Sequence, residues 1–233
     1  SIAEQPNPIG IGDAVKCGIK GVDGADKILV LYGDVPLIKK ETLERLIESA
    51  DTGLSILTTV LSNPFGYGRV KKDADGNALA IVEEKDSSET EKEIKEIFTG
   101  VLCGSKELIE EALAKIGNDN AANEYYLTDL VSIMSQNGIK IKTYNASNDE
   151  VKGANSKQEL AQLEAIYRSM KSDELFNQGI TISDSSRLDV RGDVTAGKDC
   201  SIDVNVILEG SITLGDNVSI GPNTIIKDSV IGS

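Results

Sequence analysis

The chain predicts an α/β domain followed by a stack of parallel β-coils, on two observations. The first two thirds alternate β-rich apolar runs with segments whose apolar residues recur at helical spacing, the order that builds strand–helix–strand units. From Leu188 onward, apolar residues recur every six positions: Leu188, Val194, Cys200, Val206, Ile212, Val218, Thr224 and Val230 form one stripe, and Val190, Ala196, Ile202, Leu208, Leu214, Ile220 and Ile226 a second, two residues later. Gly215 and Gly221 keep the same period. Period six with paired apolar positions is the pattern of a hexapeptide-repeat β-helix, in which each face takes one hexad and the coils stack as a solenoid.

In chain order, Gly10-Ile-Gly12 reads as a glycine loop opening a helix over 10–19. A helix N-terminus lined by glycines suits an anion, and a structural turn is the plainer reading of a lone Gly-x-Gly. Residues 28–32, Ile-Leu-Val-Leu-Tyr, are apolar without alternation, as in a strand buried on both faces of a parallel sheet. The run breaks at Gly33-Asp34. Ligands of open α/β sheets sit outside the carboxyl ends of strands, so Asp34 stands where a carboxylate can meet a cation bridging phosphates. Gly-Asp is also common turn chemistry, and this stretch alone tilts toward the turn.

An amphipathic helix over 41–50 and a second β-rich run over 54–61 imply a right-handed crossover and a parallel sheet. Residues 63–70 lead into a hairpin that turns at 73–77 and returns over 78–85, with Glu83 at the end of the apolar part. The charged stretch 89–96 reads as a solvated helix, 97–103 as a strand, 105–116 as a helix capped by Ser105, 124–134 as a helix ending at Gly138, and 139–144 as a strand. The longest helical pattern starts at Ser156, with Glu159 completing a capping box, and runs to Asn177 before Gly179.

Composition excludes several function classes. The 233 residues contain no His, which removes Ser-His and Cys-His triads and imidazole metal ligands. A net charge of −14 argues against nucleic acid and against an anionic membrane surface. Three widely spaced cysteines give neither a metal spacing nor a disulfide framework, which fits a reducing cytoplasm. No apolar run is long enough to span a bilayer. The chain starts without Met and stops inside a repeat, so both ends are expected to be cut.

The motifs Leu31-Tyr-Gly-Asp-Val-Pro36, Gly66-Tyr-Gly-Arg69, Ile81-Val-Glu-Glu-Lys85, Glu124-Tyr-Tyr-Leu-Thr-Asp129 and Gly153-Ala-Asn155, followed by the long helix and the hexad repeats, occur in one order. Together they resemble the bacterial bifunctional N-acetylglucosamine-1-phosphate uridyltransferase/glucosamine-1-phosphate acetyltransferase family along the whole chain. The resemblance implies a Rossmann-like nucleotidyltransferase domain over 1–155 lacking its N-terminal phosphate loop, a linking arm helix over 156–179, and the start of a left-handed parallel β-helix over 180–233. It implies transfer of a uridylyl group from UTP to N-acetylglucosamine 1-phosphate, giving UDP-N-acetylglucosamine and pyrophosphate. The acetyltransferase site would lie in the C-terminal part beyond this chain, and the full-length protein would be a cytoplasmic homotrimer joined through the β-helix.

The same resemblance implies Mg²⁺ held by Asp34 and Asn155. It implies Gln5 reading the uracil, Gly10 and Ile11 beside the base, and Tyr32, Gly33 and Asp34 lining nucleotide and sugar. Gly68 would offer backbone to the sugar's acetamido group, and Glu83 would accept from sugar hydroxyls. No side chain is implied as a nucleophile; catalysis would be metal-assisted positioning. Two positions depart from the family pattern: Ile11 stands where it has Thr, and Phe98 where it has a sugar-binding Asn. With the phosphate loop expected before residue 1, this chain alone is expected to be weak or inactive. The alternative is a non-catalytic UDP-sugar-binding or trimeric assembly module with a decayed site.

Overall fold

The computed structural model describes residues 2–233, which divide into two compact units, one extending to Lys152 and the other Gly153–Ser233.

The first unit is built from α1 (Ile11–Ile19), β1 (Lys27–Val30), α2 (Lys40–Ser49), β2 (Leu54–Val60), β3 (Arg69–Lys72), β4 (Ala78–Val82), α3 (Glu89–Lys92), β5 (Glu96–Ser105), α4 (Lys106–Leu113), α5 (Asp129–Gln136) and β6 (Ile141–Asn145). Its strands form one sheet in the order β4-β3-β5-β2-β6, with β1 also on β5. The sheet is mixed. Only β2 and β6 pair in parallel, while β5 runs antiparallel to β1, β2 and β3.

The expected parallel sheet is therefore corrected. β1 and β2 do point the same way, as a crossover through α2 requires, but β5 lies between them: Leu102 pairs with Val30 on one side and Ile56 on the other. A crossover fixes the direction of its two strands without making them neighbours.

The strand buried on both faces is also elsewhere than expected. β1 stops at Val30, its four residues are half-buried, and Leu31 is exposed. β2 and β5 occupy the centre instead. Six of the seven residues of β2 and eight of the ten of β5 are buried. Their side chains alternate between two cores: Leu54, Ile56 and Leu102 pack with α1, α4 and α5, and Leu57, Val101 and Cys103 pack with α2.

Three helical expectations change, two at their starts and one at its end. Ser105 ends β5 and makes no side-chain cap bond, so α4 begins at Lys106. Residues 124–128 form turns, and α5 begins at Asp129. The charged stretch yields only the four-residue α3, closed by a capping box between Ser88 and Glu91, and Glu96 already belongs to β5.

The second unit opens with α6 (Lys157–Asn177), capped by the Ser156 hydroxyl accepting from the Glu159 N–H at 3.2 Å. The Glu159 carboxylate takes the Asn155 N–H at 2.8 Å, one residue before the expected partner. Then follow β7 (Thr181–Ile182), β8 (Leu188–Ala196), β9 (Ser201–Ile202), β10 (Val206–Leu214), β11 (Ser219–Ile220), β12 (Ile225–Lys227) and β13 (Val230–Ile231). All their pairings are parallel. Leu188 lies beside Val206 and Ile207 beside Ile225, a spacing of three hexads per coil.

The paired stripes face inward: Leu188, Val190, Cys200, Ile202, Val206, Leu208, Ile212, Leu214, Val218 and Ile220 are all buried. Asn205 and Asn223 hold a left-handed backbone at successive corners, with φ of 60° and 59°. Asn tolerates that conformation well, and the two side chains bond to each other at 2.8 Å. Val230 departs from its stripe. It pairs with Thr213, one residue short of the regular spacing, and is exposed, while Ile231 takes the inward place beside Leu214. A one-residue slip exchanges the faces of a strand.

Candidate functional site

The motifs quoted above for the first unit come together at one end of its sheet. After β1 the chain makes a turn in which the Val35 N–H donates to the Tyr32 carbonyl at 3.3 Å. Gly33 and Asp34 are exposed at its tip, and the Asp34 carboxylate makes no hydrogen bond among the described residues. The Tyr32 ring turns back against Gly100.

Gly100 is the centre of a bulge in β5. Between Phe98 beside Thr58 and Leu102 beside Ile56, three residues of β5 face a single residue of β2. Gly100 has φ +88°, and a Cβ there would overlap the Tyr32 ring. The bulge is tied by the Thr99 hydroxyl, which donates to the Leu57 carbonyl at 2.9 Å. Bulges of this kind re-aim neighbouring groups, and here the bulge makes the seat for the tyrosine. Burial, then the charges of Glu83 and Asp34, push the Tyr32 phenol up to about 12, so it stays neutral.

Glu83 follows β4. Its Oε1 accepts from the Thr128 hydroxyl at 2.8 Å, and Gly68 lies so near that a Cβ there would stand 3.6 Å from both carboxylate oxygens. Gly68 itself is fixed by its carbonyl, which accepts from the Phe98 N–H at 2.9 Å. Burial raises the Glu83 carboxyl; the Thr128 bond works in the opposite direction, and the charges of Asp129, Asp86 and Glu124 add to the rise.

A group whose folded pKa is raised helps folding below its ordinary value, 4.5 for this glutamate, and that help is lost as pH rises through the raised folded value. Glu83→Gln keeps an acceptor for Thr128 without the charge. Its urea midpoint is therefore expected to fall less than the wild-type midpoint as pH rises above 4.5. Parallel midpoints for the two chains would refute the assignment.

Beneath this surface Arg69 is buried, at 2% exposure. Its Nη2 pairs with Glu84 Oε2 at 2.6 Å and its Nη1 donates to the Tyr67 carbonyl. The same Glu84 oxygen accepts from the Gly66 N–H at 3.2 Å. One ion pair thus ties the Gly66–Gly68 loop to the turn that carries Glu83.

Gln5, Gly10 and Ile11 form a second cluster. The Gln5 amide donates to the Gly10 carbonyl at 3.1 Å and to Asp13 Oδ2 at 2.9 Å. Gly10 has φ +121°, and a Cβ on it would meet the Tyr125 carbonyl oxygen at 2.6 Å. Tyr125 donates to the Ile9 carbonyl at 2.8 Å and accepts from the Gly12 N–H at 2.9 Å. The glycine loop is therefore packed on the Tyr125 backbone, which occupies one of the first N–H groups of α1. Ile11 is exposed. Phe98, by contrast, is buried in the core with Ile81 and Val70.

Asn155 belongs to the second unit, just before α6, with its side chain on an exposed residue. Among the described residues no three His, Cys, Asp or Glu side chains are grouped to hold a metal ion. No helix there is long and apolar enough to cross a membrane. The donor set suits Mg²⁺ even so. That ion keeps several waters and binds through one or two protein oxygens plus phosphates, and Asp34 offers one exposed, uncommitted carboxylate.

Thr128, Gly100 and the Arg69–Glu84 pair had no assigned role in the sequence. Gly100 carried a signal, since an isolated glycine inside a strand pattern marks a bulge. The other three are revealed only by the pairing of distant segments.

No family model matches the chain. Curated relatives do. The chain is 44% identical to the bifunctional protein GlmU of Psychrobacter sp. over 207 residues, 88% of this chain and 46% of that protein. It is 45% identical to that of Methylococcus capsulatus over 232 residues and 46% identical to that of Dichelobacter nodosus over 231 residues, each covering 98% of this chain and 50% of the relative. The chain spans about half the length of the relatives it matches.

Proposed function

This chain is a relative of the bifunctional GlmU proteins along about half their length, and from that premise we propose that it carries the sugar- and metal-reading side of a uridyltransferase site. The reaction is attack of the phosphate oxygen of N-acetylglucosamine 1-phosphate on the α-phosphorus of UTP. The new oxygen–phosphorus bond makes UDP-N-acetylglucosamine, and the bond to the departing pyrophosphate breaks. The observation that carries this reading is the Gly68–Glu83–Thr128 arrangement: a backbone segment and an oriented carboxylate side by side, beside a neutral tyrosine.

In this reading Glu83 accepts hydrogen bonds from sugar hydroxyls and Gly68 presents backbone to the acetamido group. Tyr32 supplies a neutral polar edge, and Gln5 with the Gly10–Ile11 loop meets the base. Asp34 would hold Mg²⁺, which when bound would neutralise phosphate charge. Positioning and charge neutralisation suffice for such a transfer, in keeping with a chain that has no His. The coils of the second unit are the start of a left-handed β-helix and the full protein is a cytoplasmic trimer; the stacked parallel pairings and the inward stripes support the stacking of coils, and the relatives' likeness supports the rest.

The test is calorimetric titration of the chain with UDP-N-acetylglucosamine, with and without Mg²⁺. Saturable heat that Mg²⁺ strengthens is expected, and its absence at millimolar ligand overturns the assignment. Asp34→Asn is expected to abolish the Mg²⁺ enhancement while leaving the unfolding free energy within about 0.5 kcal/mol, because the side chain is exposed and unbonded. Glu83→Gln is expected to weaken nucleotide-sugar binding by about tenfold or more, the scale of a hydrogen bond to a charged group.

A further inference from the structure

The second unit holds a shallow cleft between α6 and the first full coil, and two arginines line it. Of the chain's five arginines, Arg69 and Arg191 are ion-paired and Arg45 donates to the Tyr144 hydroxyl. Arg168 and Arg187 form no ion pair among the described residues, although the charge of Arg187 reaches the Asp184 carboxylate, and both line this cleft. In a chain of net charge −14, two such guanidiniums at one place are an exception to the general balance.

Arg187 is held ready. Its Nε donates to Asn205 Oδ1 at 3.0 Å, and Asn205 is fixed at a coil corner by its bond to Asn223. That leaves both Nη groups of Arg187 for a ligand. The backbone before it is set by the Asp184 carboxylate, which accepts from the Ser186 N–H at 3.0 Å and hydroxyl at 2.6 Å. The cleft also contains Asp189, but Arg191 takes that carboxylate through Nε at 3.0 Å and Nη2 at 2.6 Å. Leu188 and Val206 form its floor.

We propose that this cleft binds a phosphate dianion, free or as the phosphate of a small molecule, between Arg168 and Arg187. Planar guanidinium forks match phosphate oxygens, and two of them balance the charge of a dianion better than that of a monocarboxylate. The site is separate from the one proposed for the uridyltransferase and does not depend on it.

The experiment is titration of the isotope-labelled full chain with inorganic phosphate at constant ionic strength, read by the amide resonances of residues 186–189 and 205–207. Saturable shifts there are expected, with acetate producing weaker ones. Arg168→Gln and Arg187→Gln each weaken phosphate binding about tenfold, and both side chains are outside the buried core, so the spectrum otherwise stays native. Shifts that do not saturate overturn the proposal. So does a double variant, R168Q with R187Q, that binds phosphate as well as the parent. Shifts confined to residues 10–13 also refute it, because they place the phosphate in the first unit.

Discussion

Arg69→Met is expected to lower the unfolding free energy of the first unit by about 3 kcal/mol, read from urea denaturation at neutral pH. The guanidinium is 2% exposed and holds both Glu84 and the Tyr67 carbonyl. Removing it leaves a carboxylate and a carbonyl in a partly dry place, and stranding one partner of such a pair is what makes its loss costly. The figure is at the lower end of the range for buried pairs because Glu84 keeps 18% exposure. The Glu84 carboxyl, held below its usual range first by the Arg69 hydrogen bond, should return toward that range in the variant. A second effect separates this residue from an ordinary core position. The Gly66 N–H shares the Glu84 oxygen, so the Gly68 backbone beside Glu83 should loosen and nucleotide-sugar binding should weaken under conditions where the variant is fully folded. Unchanged stability would show that the ion pair carries no net weight. Weakened stability with unchanged binding would show that the loop is held some other way.

Gly10→Ala is expected to cost about 2–3 kcal/mol without any ligand present, measured as a lowered thermal or urea midpoint. Two causes act together. The backbone φ of +121° is a region that L side chains rarely adopt, and the new methyl would press on the Tyr125 carbonyl oxygen and amide nitrogen at 2.6 and 2.7 Å. Those are backbone atoms, fixed by their own bonds to Ile9 and Gly12, and cannot swing aside as a long side chain would. The result decides between two reasons for the glycine. If it is there to cradle an anion, apo stability should hardly change. If it is there because another backbone packs on it, stability should fall before any nucleotide is added.

The long-period features were legible in the sequence because they repeat. Each inward residue of the coils reports its neighbour 18 positions away, so the burial of Leu188, Val206 and Ile212 follows from the six-residue stripe. The stripe failed only at Val230, where the pairing shortens by one residue and no apolar pattern marks the slip. The site motifs were legible as types. A glycine-aspartate turn after a strand and a carboxylate after a hairpin are local chemistry, and local chemistry is written locally.

Strand neighbours were not legible. Residues 28–32 and 54–61 both look like central strands, because an apolar run states that a strand is sheltered and not by what. Tertiary pairing put β5 between them, left β1 half-buried, and gave the centre of the sheet to β2 and β5. The same pairing set Gly100 under Tyr32, Thr128 on Glu83 and Glu84 on Arg69, contacts between residues 15 to 68 apart in the chain. The sequence by itself determined the order of elements, the repeat and which side chains have chemistry to offer. Only the tertiary structure decided which of them meet, because a contact between distant segments depends on how the strands that carry or flank them pair.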